Sequence, residues 1–383
     1  MKSAERYSVE PLSEELGRPL RVAHLEMGKH LYGGAQQVLY LLNALPNAAV
    51  ESILICPQGA AVGDAARESG ITVREIAYSG ELDWRSVGRI GRILQTDAID
   101  LVHVHSRRGA DIWGGLAAHR ARLPCIVSRR VDNPELSWIG ALKYRFFVHV
   151  IAISEGIGEV LLAGGIPAEK ISCVRSAVDW ARFQQDADAE GLRQRFGLPK
   201  KAVVAGMAAQ LIPRKGHDVL LDAMSALSSD WPDFHVLVMG KGPLAQSLQR
   251  DIDVRGLASH VHCVGFLEDL EWVMPSLDFL MHPARTEGLG VVLLQAASAG
   301  LAVIASNAGG MPEAVAHETT GLLIPPGDPT ALTNAITRML NNPTERAAFG
   351  KAGRGRMARE FSIEAMASGN LHIYQKVMLA SRM

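Results

Sequence analysis

The hydrophobic positions of this chain fall in short, almost unbroken runs, separated by glycine-rich turns and by longer segments of mixed polarity. Runs of that kind read as strands buried on both faces, the mark of a parallel sheet covered by helices. The first series predicts strands at residues 20–27, 51–56, 72–78, 100–106, 124–130 and 148–154, with helices at 35–45, 84–95 and 155–162. Residues 178–198 are polar and irregular, acidic at 186–190, and interrupt the rhythm. A second series places strands at 202–208, 235–240, 261–265, 277–282, 302–306 and 321–325. Its helices are expected at 217–227, 291–299, 331–340, 344–360 and 363–379. Alternation of strand and helix, twice over, predicts an α/β chain of two doubly wound, Rossmann-like domains. The expected division is 18–180 for the first, 181–198 for a linker and 199–363 for the second.

Open α/β sheets bind ligands beyond the carboxyl ends of their strands, so the turns after the strands are where chemistry is expected. The stretch Thr286-Glu287-Gly288-Leu289-Gly290 joins the strand at 277–282 to the helix at 291–299. Gly288 and Gly290 let the backbone approach a ligand closely, and the helix start offers N–H groups and a positive dipole end to an anion. Glu287 is either a hydroxyl-binding carboxylate at this mouth or an acid that simply favours a helix start. Gln295 lies about 7 Å further along the helix than Gly290 and faces either the same crevice or the core. Arg214-Lys215 follows a strand and precedes a helix, where it forms either a phosphate-neutralising pair or a solvated turn. Glu313, in Gly309-Gly310-Met311-Pro312-Glu313, is either a site residue or helix-start chemistry after Pro312.

The first half offers a second set. Gly33-Gly34 precedes a helix. His103 and His105 share a strand face, with His105 near its carboxyl end; strand histidines are core or lining residues more often than catalysts. Arg107, Arg108, Arg129 and Arg130 fall at strand ends and make either ordinary surface charge or a converging patch suited to phosphate and carboxylate groups. The aromatic and basic residues at 142–150 suit either a membrane surface or a helix running into a strand.

Composition narrows the class. At 383 residues each half can bury its own core, and 48% hydrophobic content with a net charge of -1 fits a folded, soluble protein and argues against general nucleic-acid binding. The four cysteines are far apart in apolar runs and read as buried thiols. Asp251-Ile252-Asp253 falls inside a helical run, so no metal site is expected. The polar amino-terminal stretch lacks a signal-peptide core and no apolar run reaches ~18 residues, so a cytoplasmic protein is expected.

The ordered series of motifs resembles the retaining glycosyltransferases of family 4, on the GT-B fold, over roughly residues 20–380. That resemblance implies two Rossmann-like domains facing a central cleft, the last helix (364–383) crossing back onto an acceptor-side first domain, and a donor-binding second domain. It implies a nucleoside-diphosphate sugar, UDP- or GDP-linked, as co-substrate, with no further cofactor and no metal. Lys215 matches the family's phosphate-binding lysine, and Glu287 the first acid of its Glu, seven residues, Glu signature. The chain departs from the pattern in three places: Gln295 replaces the second acid, Gln210 stands where an arginine is usual, and Arg129-Arg130-Val131-Asp132 occupies the place of a histidine near the reacting sugar. The implied sites are Glu287 and Lys215 for catalysis; Gly33, Gly34, Arg214, Gly288, Leu289, Gly290, Gln295 and Glu313 for the donor; and His105, Arg107, Arg129 and Arg130 for the acceptor. A converging arginine patch predicts an anionic glycan or glycolipid acceptor, such as lipopolysaccharide core, reached by peripheral contact with the inner face of the cytoplasmic membrane. Two other readings fit the same residues: a nucleotide-sugar epimerase or hydrolase on the same architecture, and a catalytically weak nucleotide-sugar-binding scaffold in which Gln210 and Gln295 reduce turnover.

Overall fold

The computed structural model of the chain describes residues 16–31, 33–46, 49–105, 109–132 and 143–381. They divide into two compact units, one holding the chain up to Ala177 together with the segment from Ile363 onward, the other Val178–Ser362.

The first unit is built on seven strands: β1 (Leu20–Leu25), β2 (Val50–Pro57), β3 (Thr72–Ile76), β4 (Leu101–Val104), β5 (Cys125–Arg129), β6 (His149–Ala152) and β7 (Ile171–Cys173). All pair in parallel, in the order β3-β2-β1-β4-β5-β6-β7. The order reverses direction between β1 and β4, so the chain leaves those two neighbours toward opposite flanks. Helix α1 (Gly33–Ala44) follows β1 and buries Val38, Leu39, Leu41 and Leu42.

The second unit has six parallel strands: β8 (Val203–Ala208), β9 (Phe234–Met239), β10 (Val261–Gly265), β11 (Phe279–His282), β12 (Ala302–Ser306) and β13 (Gly321–Ile324). Their order is β10-β9-β8-β11-β12-β13, with the reversal between β8 and β11. Every residue of β9, β11 and β12 is buried, which is why these strands read as unbroken apolar runs. Helices α2 (His217–Leu227) and α3 (Val291–Ala299) follow β8 and β11.

Helix α4 (Ile363–Ala380) closes the chain within the first unit. Its Met366, Leu371, Ile373, Tyr374, Val377 and Met378 join one core cluster with Leu20 and Val22 of β1, Leu101 of β4, Ile126 of β5 and Ile151 of β6. Full burial of side chains of this size contributes about 1.5–3 kcal/mol each, so the helix is part of that core.

Some local features differ from expectation. The stretch 181–198, expected as an irregular linker, carries a helix, Ala189–Arg195, within the second unit. It is capped by the Asp188 carboxylate, which accepts from Gly191 N, and Leu192 is its buried residue; one apolar anchor in seven residues leaves no periodicity to detect. The helix Ala61–Glu68 and the strand β7 escape notice for the same reason of length. Cys263 is exposed, against the expectation of a buried thiol, because β10 is an edge strand with one face open. Among the described residues no helix is long and apolar enough to cross a membrane.

Candidate active site

A polar constellation of the second unit lies at its reversal point, where the turns leaving β8 and β11 meet. After β8 a single 3-10 turn, Pro213–Lys215, ends on Gly216 in the left-handed conformation (φ 77°). That reversal aims Lys215 inward, and only 7% of it is exposed. Lys215 Nζ forms an ion pair with the Glu287 carboxylate, which arrives on the turn after β11. Arg214 stays largely exposed but leans the same way: its guanidinium donates to Thr286 O at 3.1 Å and lies 3.7 Å from Glu287 Oε1. His282, at the end of β11 and 1% exposed, completes the ring, with Nε2 3.4 Å from Glu287 Oε2.

Burial alone would raise the Glu287 carboxyl, but the His282 hydrogen bond and the Lys215 charge outweigh it and hold the group well below the usual carboxylate range. An ionised carboxylate only accepts, so the His282 proton sits on Nε2. Burial also lowers His282, leaving it neutral, although Glu287 pulls the other way. The site therefore holds a carboxylate between a lysine, a guanidinium and a neutral imidazole.

The backbone around Glu287 is shaped by glycines. Gly290, at φ 84°, begins α3. Gly310 N donates to Glu287 O at 2.9 Å, and a side-chain carbon on Gly309 or Gly310 would overlap the carbonyl of Glu287 or Gly288. The expected residues Gly288, Leu289 and Gly290 thus pack, with Gly309 and Gly310, around one turn. Gln295 is half-buried one turn into α3, on the face it shares with Val291 and Val292. Glu313 is half-buried in the short helix Met311–Ala314, whose backbone turns back on Gly310. Gln210 is exposed and outside the ion-pair ring.

The first unit carries its own polar group at the reversal between β1 and β4. His24 and His103 face each other in register. His24 Nδ1 and His105 Nε2 are 3.0 Å apart, His103 Nδ1 lies 2.8 Å from the Tyr374 hydroxyl of α4, and His103 Nε2 lies 2.8 Å from Ser128 Oγ. All three histidines are at most 2% exposed; burial lowers His24 to about 3 and the other two well below the usual imidazole range. Their nitrogens lie within 4.8 Å of one another, the one such group among the described residues. Both nitrogens of His103 are already engaged, the set contains no carboxylate, and the cation Arg130 is close enough to depress His103 and His105. With both His103 nitrogens facing hydroxyls and a cation nearby, the three rings form a hydrogen-bonded imidazole cluster.

The paired arginines separate. Successive residues of an extended strand face opposite ways, and Arg129 is 4% exposed while Arg130 is half-buried. Arg130 lies against Gly34 at the start of α1, and its Nη1 is 3.5 Å from Ser176 Oγ. Burial lowers its guanidinium to about 10, with the Glu26 carboxylate opposing, so it keeps its charge. Gly33 and Gly34 are exposed at the α1 start. Arg107, with Arg108, lies outside the described residues.

Sequence reasoning missed His282, His24, Ser128 and Tyr374. Each sits in an apolar run or helix face where a polar residue has the same local pattern whether it packs or binds. The one local signal was placement of His282 as the last residue of a strand that leads into Glu287.

Residues 188–356 match the family described as glycosyl transferases group 1, and residues 32–182 match Glycosyltransferase Family 4. A GDP-mannose-dependent alpha-(1-6)-phosphatidylinositol monomannoside mannosyltransferase of Mycolicibacterium smegmatis is 35% identical over 198 residues, 49% of this chain and 52% of that protein. The chain thus spans about half the length of that relative. A D-inositol 3-phosphate glycosyltransferase of Saccharomonospora viridis is 31% identical over 355 residues, 82% of this chain and 81% of that protein. In fold, the Anabaena HepE protein solved in complex with UDP and glucose is similar with a TM-score of 0.82 at 20% identity, covering 93% of this chain and all (100%) of that one.

Proposed function

The chain belongs to glycosyltransferase family 4, on the GT-B fold, and we propose that it transfers a sugar from a nucleoside-diphosphate donor to a surface-glycan acceptor such as lipopolysaccharide core, with retention of configuration and without a metal ion. The observation that carries this reading is the pairing of Lys215 with Glu287 at the reversal point of the second sheet. A lysine there meets the charge of a departing diphosphate, and a fixed carboxylate beside it accepts hydrogen bonds from sugar hydroxyls. Arg214 and the N–H groups at the start of α3 add positive potential, which is the task a metal would otherwise perform. The second unit is accordingly the donor side, with Gly288, Leu289, Gly290, Gln295 and Glu313 around the nucleotide sugar, and the first unit the acceptor side.

In the proposed step the bond between the anomeric carbon and the diphosphate oxygen breaks as the acceptor oxygen bonds to the same face of the sugar. The acceptor proton passes to the departing phosphate oxygen, so no protein base is needed. The names of both enzyme relatives carry a phosphate-bearing acceptor, phosphatidylinositol monomannoside and inositol 3-phosphate. A charged Arg130 beside the α1 start supports an anionic acceptor here as well, while His105 and Arg129 are buried. A glycolipid acceptor would bring the enzyme to the inner face of the cytoplasmic membrane as a peripheral protein.

The test is a calorimetric and thermal-shift screen against UDP, GDP, ADP and their common sugar conjugates, with magnesium and with EDTA. One nucleotide sugar should bind equally well in both, and Lys215→Ala and Glu287→Ala should each weaken it. A folded protein that binds no conjugate overturns the reading.

A further inference from the structure

Lys215 has two claims on it. In the structure it pairs with Glu287, whose side chain is only 16% exposed. If, as proposed above, a diphosphate draws Lys215, the carboxylate loses its principal charge partner while still largely buried. Removing one partner of such a pair is strongly unfavourable unless another donor remains. Arg214 is exposed, 3.7 Å away, and already donates to Thr286 O. His282 differs in kind. It is 1% exposed and ends β11, a central strand paired on both sides, to β8 and β12. Its Nδ1 has no hydrogen-bond partner among the described residues, so Glu287 is what orients the ring, and the ring is a buried donor Glu287 keeps when Lys215 is drawn away.

We infer that His282 is the positioning residue of the donor site: through Nε2–H it holds the Glu287 carboxylate toward the transferred sugar while Lys215 serves the diphosphate. The inference rests on the donor-site reading above and assigns a part within it. Burial keeps the imidazole neutral, so Nε2–H is a donor without adding a positive charge that would compete for the phosphates. Near His282, His217 opens α2 immediately after Gly216, is 3% exposed and is likewise held neutral by burial, at about 4. Positioning by a neutral donor on a rigid strand leaves Lys215 as the buried cation able to move.

The experiment compares wild type, His282→Leu, which keeps the volume and loses the donor, and His282→Gln, whose amide N–H reaches about as far as Nε2. Calorimetry measures the dissociation constants of UDP and UDP-glucose, and of GDP and GDP-mannose. In His282→Leu the diphosphate alone should bind within about twofold of wild type, while the ratio of conjugate to diphosphate dissociation constants rises about tenfold, as expected for one lost hydrogen bond to a charged group. His282→Gln should return most of that ratio. A general packing defect would weaken both ligands alike and would not be rescued by glutamine, and either result overturns the inference, as does an unchanged ratio in a folded leucine variant. Should His282→Leu not fold, His282→Asn, whose amide is too short to reach Glu287, takes its place. If wild type binds neither conjugate, the donor-site reading falls and the inference falls with it; if wild type binds and the variants behave like it, only the inference falls.

Discussion

A side-chain carbon on Gly216 would collide with the carbonyl oxygen of Pro283. The turn leaving β8 and the turn leaving β11 therefore touch through a position where only glycine fits, and Lys215 and Glu287 meet on the two sides of that contact. Gly216→Ala must also carry a left-handed φ of 77°. Left-handed backbone costs roughly 1–2 kcal/mol and overpacking about 1–3 kcal/mol. The expected loss is about 2–5 kcal/mol, measured by urea unfolding with tryptophan fluorescence. A loss under about 0.5 kcal/mol would mean that the two turns are not locked together.

The buried histidines make stability fall in mild acid. His24 is lowered to about 3, and His149 and His217 to about 4, all by burial, so the unfolded chain binds more protons than the folded one below the ordinary histidine value. Their contribution is complete above about pH 6.5 and is lost as pH falls from there toward 3. His24 alone should remove on the order of 2 kcal/mol between pH 7 and pH 5. Urea midpoints at the two pH values measure this, and equal midpoints would count against burial of neutral imidazoles. Glu287 acts with the same sign at lower pH, its share being lost only below about pH 4.

Tyr374→Phe should destabilise the first unit. It removes the hydroxyl 2.8 Å from His103 Nδ1 and leaves a buried ring nitrogen without that partner. The expected cost is about 1–3 kcal/mol, read as a lower unfolding midpoint with unchanged nucleotide binding. Weakened nucleotide binding would instead assign the His103 cluster to the donor.

Gln295→Glu should tighten donor binding. A carboxylate accepts from both ribose hydroxyls and forms charge-assisted bonds, where the amide offers one acceptor oxygen. The gain is about 1 kcal/mol, a few-fold to tenfold in the dissociation constant of the nucleotide sugar by calorimetry. No gain would place Gln295 among the packing residues of α3.

Arg130→Glu and Arg129→Glu should differ. Arg130 is half-buried beside Gly34, and reversing its charge should raise the Michaelis constant of an anionic acceptor about tenfold while the donor dissociation constant holds. Arg129 is 4% exposed, so its reversal should unfold the first unit before it reports on any acceptor. Equal acceptor effects in two folded variants would contradict the separation of the pair.

The central strands of both sheets were legible as apolar runs because parallel strands buried on both faces need side chains of one kind throughout, whereas the edge strand β7 was not. Helices α2 and α3 kept their expected bounds, 217–227 and 291–299. Short elements such as Ala189–Arg195 were not legible, since a single buried leucine carries no period.

The sequence by itself determined the strand–helix series, the glycine turns, and the chemical identity of Lys215 and Glu287, because each depends on a few consecutive residues. Strand order is different: nothing local states that β8 lies beside β11 or β1 beside β4. That pairing brings together Lys215 and Glu287 across 72 positions, and the docking of α4 brings together His103 and Tyr374 across 271. It is decided when helices bury their apolar faces on both sides of each sheet, a free energy spread over whole cores such as the one α4 shares with β1, β4 and β5. For the same reason a histidine in an apolar run remains ambiguous until its neighbours across the sheet are known: His24 and His103 joined one cluster only once β1 and β4 had paired.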